Sequence, residues 1–348
     1  MPRAYFRRRL LYSTLTTILL SANAFAQFQE NEGPNGNSDR TTANVFSSLT
    51  AGATITGNSQ GSGTGPTNAT ATSADYFNLT PQTAPLGIYR HSISLSNTGH
   101  AGTIRGQSVT GSTVTLADTF VQTDSADTNV WYGFGRGETV NYRVTGTTST
   151  TSNYTITYNA PTLITPTNLN ATTGALGAGI LSFSTVGFSL NAANAQIDTT
   201  IYILDANFNV LYRNDNEAAP GTTSGSILSR NFTPGVYYFA IGDTGTFTNF
   251  APESADRQQN SKVTSSAIFV NDNSLTNRNL DFQVQSAGRT ILIDNTKVNV
   301  NDINFYRFTV SAVPEANTGA FVMVGIALFA VYWLGRRFGI RGCRSSGG

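Results

Sequence analysis

Thr199-Thr200-Ile201-Tyr202-Ile203-Leu204 is followed by Asp205-Ala206-Asn207-Phe208-Asn209 and then by Val210-Leu211-Tyr212. The first phrase is rich in Ile and Tyr, which suit a pleated strand; the second is built of turn formers; the third reads as the return partner. After a polar loop at 214–225, Ile227 to Phe232 leads through Pro234-Gly235 into Val236-Tyr237-Tyr238-Phe239-Ala240-Ile241. Pro presets one dihedral and Gly accepts positive φ, so Pro-Gly reverses the chain cheaply. This half of the sequence is expected to be antiparallel β.

Working outward, the same grammar holds upstream. Short apolar or alternating segments recur from residue 43 on, separated by Gly, Asn, Pro and Thr clusters: Tyr76-Phe77-Asn78-Leu79, then 88–95, 108–116, 139–144 and 154–158. In the last, Tyr154, Ile156 and Tyr158 alternate with Thr155 and Thr157, the period of a half-buried strand. No window carries a sustained 3.6-residue apolar period with caps, so helices are not expected here. Pro161 and Pro166 interrupt the pattern and mark a boundary.

The 348 residues suffice for one large or two medium domains. Charged residues make up only 12%, and Thr, Ser, Asn and Gly dominate the polar part, a composition common in secreted β-rich proteins. The net charge of +1 conceals an asymmetry. Four Arg precede residue 27 and four follow Gly335, with no acidic residue in either segment, which leaves 13 basic against 20 acidic groups in the middle. An acidic body with two Lys, Lys262 and Lys297, argues against nucleic acid, where cations supply most of the affinity. Cys343 is the lone cysteine, so the body cannot hold a disulfide, and with two histidines in all the composition argues against a Cys/His zinc site.

The ends are addressing signals. Arg3 and Arg7 to Arg9, an apolar run at 10–20 and Ala24-Phe25-Ala26 form a secretory signal peptide with cleavage after Ala26 by signal peptidase. Residues 27–42, poor in apolar side chains, read as a flexible linker. At the other end, the apolar run 320–334 would span about 22 Å as a helix, against a hydrocarbon core of roughly 30 Å. Extension to Thr318 and Phe338, with Arg336 and Arg337 snorkelling, brings it to membrane length. The Arg cluster belongs on the cytoplasmic side and the β body outside.

The order Val313-Pro314-Glu315, apolar span, Arg336-Arg337 resembles the PEP-CTERM sorting signal of exopolysaccharide-producing Gram-negative bacteria, with Ala316 where the usual motif has a second Pro. The resemblance implies recognition by an exosortase, a membrane-embedded thiol enzyme that cuts near the motif. It also implies passage through the inner membrane to the cell surface or beyond. Residues 174–242 resemble the bacterial pre-peptidase C-terminal type of β-sandwich domain. The match runs through Asp198-Thr199, Tyr202-Ile203-Leu204-Asp205, Asn209-Val210-Leu211 and Thr233-Pro234-Gly235-Val236-Tyr237-Tyr238; Phe208 stands where similar modules have Gly. Two phrases are similar to that family's opening strand, Ala74-Asp75-Tyr76-Phe77 upstream and Asn304-Phe305-Tyr306-Arg307-Phe308 downstream. The downstream one either closes the same sheet or belongs to a partial repeat.

The expected architecture is therefore all-β, one or two antiparallel β-sandwich domains with a signal peptide and a single C-terminal transmembrane helix. The divisions are signal peptide 1–26, linker 27–42, β-rich domain 43–160, sandwich domain 161–312 and sorting tail 313–348.

Candidate chemistry is sparse. Some similar modules bind calcium, and Asp198, Asp215 and Glu217 offer hard oxygen ligands; the same residues also read as solvated turn carboxylates. Asp205, Asn207 and Asn209 have calcium-loop spacing, but Val210 and Asn216 occupy the positions where an EF-hand needs Gly and Glu. Gly133-Phe134-Gly135-Arg136-Gly137-Glu138 lacks the following helix that a phosphate loop needs, since 139–144 reads as a strand. Trp131-Tyr132 is a sugar-stacking platform or core packing. His91 and His100 are the only histidines and are expected at the surface or in turns, without a Gly-x-Ser-x-Gly elbow. No enzyme activity or cofactor is expected. The leading reading is an exported structural or adhesive protein of the cell surface or extracellular matrix. The alternatives are an anchored polysaccharide-binding module, with exopolysaccharide as partner, and a secreted hydrolase.

Overall fold

The computed structural model describes residues 26–30, 37, 41–58, 74–96, 99–110, 113–123, 127–146, 153–214, 225–243, 246–248, 268–272 and 275–312. Those residues are mostly β-strand, with one short helix among them, Leu169–Thr173. The protein is all-β, and most strand pairs are antiparallel.

The hairpin expected at 199–212 forms one end of a six-stranded sheet, with Val210–Asn214 as its edge strand. Thr199–Leu204 pairs with Val210–Asn214 on one side and Gly235–Asp243 on the other. Asn304–Ser311 adds beyond Gly235–Asp243, so the downstream aromatic phrase closes the same sheet. Every residue of Thr199–Leu204 is buried. A strand reads as a continuous apolar run, without alternation, when both sheet faces are covered. One face carries Ile201, Ile203, Phe239, Ile241, Phe308 and Val310. These share a core with Leu181 and Phe183 of Gly179–Ser184 and with Phe282 and Val284 of Phe282–Ser286, from a four-stranded sheet.

The first half is organised the same way. An eight-stranded sheet contains Thr54–Gly57, Tyr154–Tyr158, Ile88–Ser96 and Thr128–Gly133; a five-stranded sheet contains Ala74–Pro81, Val140–Gly146 and His100–Thr110. Ile55, Ile93, Leu95, Tyr154 and Ile156 from the former share one buried cluster with Phe77, Leu79, Ile104, Tyr142 and Val144 from the latter. Tyr154–Tyr158 shows the expected alternation, its Tyr and Ile buried and its Thr half-exposed. The segment expected at 108–116 straddles a reversal: Thr110 pairs with Thr113, and two strands, His100–Thr110 and Thr113–Thr123, replace one. A Thr- and Val-rich hairpin has the same composition on both sides of its turn, so the pattern does not betray the break. Within the stretch read as a linker, Gln27–Gln29 pairs in parallel with Thr54–Gly57, and Glu30 and Asn37 are buried.

A third cluster joins the halves. Ile88, Val130, Tyr132 and Phe134 of the first meet Tyr202, Leu204, Phe208, Ala240 and Phe305 of the second, with Phe269 among them. Phe134 stacks on Phe208 with centroids 5.0 Å apart and planes 9° apart, and Tyr202 meets Phe269 edge-on at 4.7 Å. Each fully buried ring contributes roughly 1.5–3 kcal/mol by burial. The chain crosses this seam near Pro166: Thr162–Ile164 pairs with Ile88–Ser96, whereas Thr167–Asn168 pairs with Asn304–Ser311. It crosses back after Asp243: Thr246–Thr248 pairs with Phe269–Asn271, which joins the first half through Phe269 opposite Tyr132.

Candidate functional site

The seam opens at one side into a cleft of about 710 Å³. Arg90 and Tyr132 come from the first half, Thr162 and Thr167 from the crossing segment, and Asn295, Asn299, Asp302 and Asn304 from the approach to the last strand. Asp302 is its electrostatic centre. Oδ1 accepts from Arg90 Nε at 3.0 Å and from the Tyr132 hydroxyl at 3.1 Å, and Oδ2 accepts from Asn299 Nδ2 at 2.7 Å. The Tyr132 oxygen in turn accepts from the Ile303 amide at 3.3 Å. Burial first, and then the Asp302 carboxylate, push the Tyr132 hydroxyl well above its ordinary pKa, so it stays a neutral donor. Asn304 Nδ2 donates to Asn295 Oδ1 at 2.5 Å and to the Thr296 carbonyl at 3.0 Å. Three donors on its carboxylate hold Asp302 in a fixed orientation. Amides, hydroxyls and one ion pair in a single concave wall suit a hydroxyl-rich neutral ligand.

Both histidines are buried, which corrects the expectation of surface or turn positions. His91 lies on Ile88–Ser96 and stacks on Trp131 at 5.2 Å with planes 13° apart, its Nδ1 2.7 Å from the Tyr158 hydroxyl. Burial lowers its pKa from 6.5 to about 4, so it is a neutral aromatic member of the core at neutral pH. His100 begins His100–Thr110 and packs over Tyr154 at 5.1 Å. Imidazole offers a flat ring with polar edges, which fills a core site once those edges are satisfied. Trp131 is 1% exposed, so its ring is core packing and not a sugar platform.

The glycine-rich run leads into a strand, Val140–Gly146, as expected. Glu138 closes its loop from within: Oε1 accepts from the Phe134 amide at 2.8 Å and Oε2 from the Arg136 amide at 3.1 Å. This uses a carboxylate for backbone satisfaction, as in Asx-type turns. The Asp205 turn does the same, taking the Asn207 and Asn209 amides at 2.8 and 2.9 Å.

Elsewhere a pair of carboxylates faces one hydroxyl. The Tyr154 oxygen lies 2.6 Å from Glu30 Oε2 and 2.7 Å from Asp75 Oδ2, all three residues buried. Burial and the two carboxylates hold the Tyr154 proton in place far above its usual pKa.

Of the residues singled out in the sequence, Ala26 is exposed ahead of Gln27–Gln29, and Asp198 is half-buried beside the start of Thr199–Leu204. Ala24, Asp215, Glu217, Val313, Pro314, Glu315, Arg336 and Arg337 lie outside the described residues. Among the described residues no helix is long and apolar enough to cross a membrane; the expected span, 318–338, is not among them. Nor do three His, Cys, Asp or Glu side chains converge among the described residues. Asp302 and Arg90 were not picked out in the sequence, and no local pattern links two residues so far apart.

Fold and cleft together define an all-β protein with a polar cleft at the seam of its two halves. No family model matches the chain, and no curated protein matches it either.

Proposed function

We propose that this chain is an exported structural or adhesive protein of the cell surface or extracellular matrix. In this reading two β-sandwich units form the body, each core being fed by two sheets. Signal peptidase removes 1–26, the 318–338 helix holds the body at the inner membrane, and an exosortase acts near Val313-Pro314-Glu315. The observation that carries the reading is the tripartite C-terminal pattern following a β body whose halves are knit by a buried aromatic cluster. A body knit in that way resists separation under load, as a matrix component must. Mapping the mature C-terminus of the wild type and of Glu315→Ala tests it: a truncated wild type beside an intact variant is expected, and equal processing would sink the sorting claim.

A second reading, a polysaccharide-binding module, is favoured by the seam cleft with its neutral amides and hydroxyls. Asn299→Ala should weaken retention on an array of bacterial exopolysaccharide fragments by about two- to tenfold, the worth of one neutral hydrogen bond. Unchanged retention would leave the cleft without that role. Calcium at Asp198, Asp215 and Glu217 belongs to this reading as a stabilising ion; a melting temperature indifferent to chelation would remove it.

A further inference from the structure

Three strand ends from different sheets converge beneath the seam. Asp243 ends Gly235–Asp243, Asn271 ends Phe269–Asn271 and Lys297 ends Thr296–Lys297, and all three side chains are fully buried. A single oxygen, Asp243 Oδ1, accepts from Lys297 Nζ at 2.9 Å and from Asn271 Nδ2 at 2.9 Å. Oδ2 faces Arg278 Nε at 3.4 Å. Asn271 is fixed in place, its backbone carbonyl accepting from Asn301 Nδ2 at 2.8 Å and its amide reaching the Asp302 carbonyl at 3.4 Å. The chain thus holds an amine, a carboxamide and a bridging carboxylate in a water-excluded site.

We propose that Lys297 and Asn271 become joined by an intramolecular isopeptide bond, formed by attack of Lys297 Nζ on Asn271 Cγ with Asp243 as the proton shuttle. The Lys297 ammonium gives one proton to Asp243 Oδ1, and the freed lone pair forms the Nζ–Cγ bond. Asp243 passes that proton to Nδ2 and takes the second proton from Nζ. The Cγ–Nδ2 bond breaks and the carbonyl re-forms. Ammonia leaves, taking the last proton from Asp243 as ammonium, and the carboxylate is regenerated. Nothing is oxidised or reduced. Burial favours the first step, because desolvation pushes the Lys297 amine toward its neutral, nucleophilic form. The geometry favours the rest, because one oxygen touches both the nitrogen that attacks and the nitrogen that leaves.

The bond would tie the strand at 269–271, which belongs to the eight-stranded sheet, to the segment leading into the last strand of the six-stranded sheet. It would close 271–297 into a covalent loop across the seam, in a body whose sequence has no cysteine to do so.

Mass spectrometry of the purified full chain tests this. With both termini mapped, the intact mass should fall about 17 Da below that calculated for the residues present, the mass of one ammonia. Trypsin should leave Lys297 uncut and yield residues 263–278 and 290–307 as one branched species. Lys297→Met, which removes the amine and leaves the Asp243 carboxylate to Asn271 and Arg278, should return the mass to that of its own sequence and release 263–278 as a linear peptide. A wild type with unshifted mass and a linear peptide ending at Lys297 would overturn the proposal. So would the same mass loss confined to a linear peptide carrying a succinimide at Asn271, or a gain of about 1 Da from deamidation there. The wild-type measurement decides the matter even where a variant fails to fold.

Discussion

Arg90 and Asp302 are separated by 212 residues in the chain and by 3.0 Å between Nε and Oδ1 in the fold. Arg90 belongs to a central strand of the eight-stranded sheet, and Asp302 lies two residues before Asn304–Ser311 of the six-stranded sheet. The pair fastens the two halves on the polar side of a seam whose apolar side is the aromatic cluster, and it orders the cleft wall.

Replacing Asp302 by Ala should loosen that seam. The change strands the Arg90 guanidinium, the Tyr132 hydroxyl and the Asn299 amide, of which the Tyr132 group is the most buried. A loss of about 1–3 kcal/mol in urea unfolding is expected, most of it from the buried hydroxyl. Arg90→Ala should cost less, because its side chain is 30% exposed and solvent screens the pair. Equal and negligible losses in both would mean that the seam does not depend on this bond.

His91 makes stability depend on pH in the acid range. Its pKa is 6.5 in the unfolded chain and about 4 in the fold, so between those values the unfolded state binds more protons. Stability is fully present above about 6.5, declines as pH falls toward about 4, and levels off below for this group. The slope is roughly 1.4 kcal/mol per pH unit, and about 3 kcal/mol in all. His91→Gln, which can still hydrogen-bond Tyr158, should remove this component: the difference between variant and wild type in chemical unfolding should change across pH 4 to 6.5. A constant difference would show that His91 does not resist protonation.

Phe208 adopts φ 59, a left-handed backbone that costs a non-Gly residue roughly 1 kcal/mol. The ring is buried against Phe134 at 5.0 Å and Tyr238 at 4.5 Å, and truncating it should cost about 3–5 kcal/mol. Phe208→Gly should therefore destabilise by about 2–4 kcal/mol, and Phe208→Ala by about 1 kcal/mol more, since Ala loses the ring and keeps the strained φ. Thermal melts of the three proteins check the order; an Ala variant more stable than the Gly variant would contradict it.

Gly135 has φ +85, and a Cβ built there would lie 2.5 Å from the Pro85 carbonyl oxygen and 2.9 Å from that of Ala84. Backbone cannot swing aside as a side chain does. The loop also receives the Ala84 amide on the Gly135 carbonyl at 2.9 Å. Gly135→Ala should cost at least about 1–3 kcal/mol, combining strain with overpacking. A melting temperature equal to wild type would show that the loop relaxes freely.

Local order is what the sequence by itself determined. The strands at 154–158, 199–204 and 227–232 fall where their side-chain pattern puts them, and the reversal at Asp205 follows from the turn chemistry of Asp and Asn. These features depend on neighbours within a few residues, so composition and period carry them. In the fold every residue of Thr199–Leu204 is buried, so both faces of the sheet are covered there. Which elements do the covering was decided by tertiary structure alone. The same holds for the return of Phe269 to the first half, for the burial of His91 and His100, and for the meeting of Asp243, Asn271 and Lys297. Each depends on where the closed chain brings residues tens to hundreds of positions apart, and a buried polar or aromatic side chain shows its role only once its partners surround it.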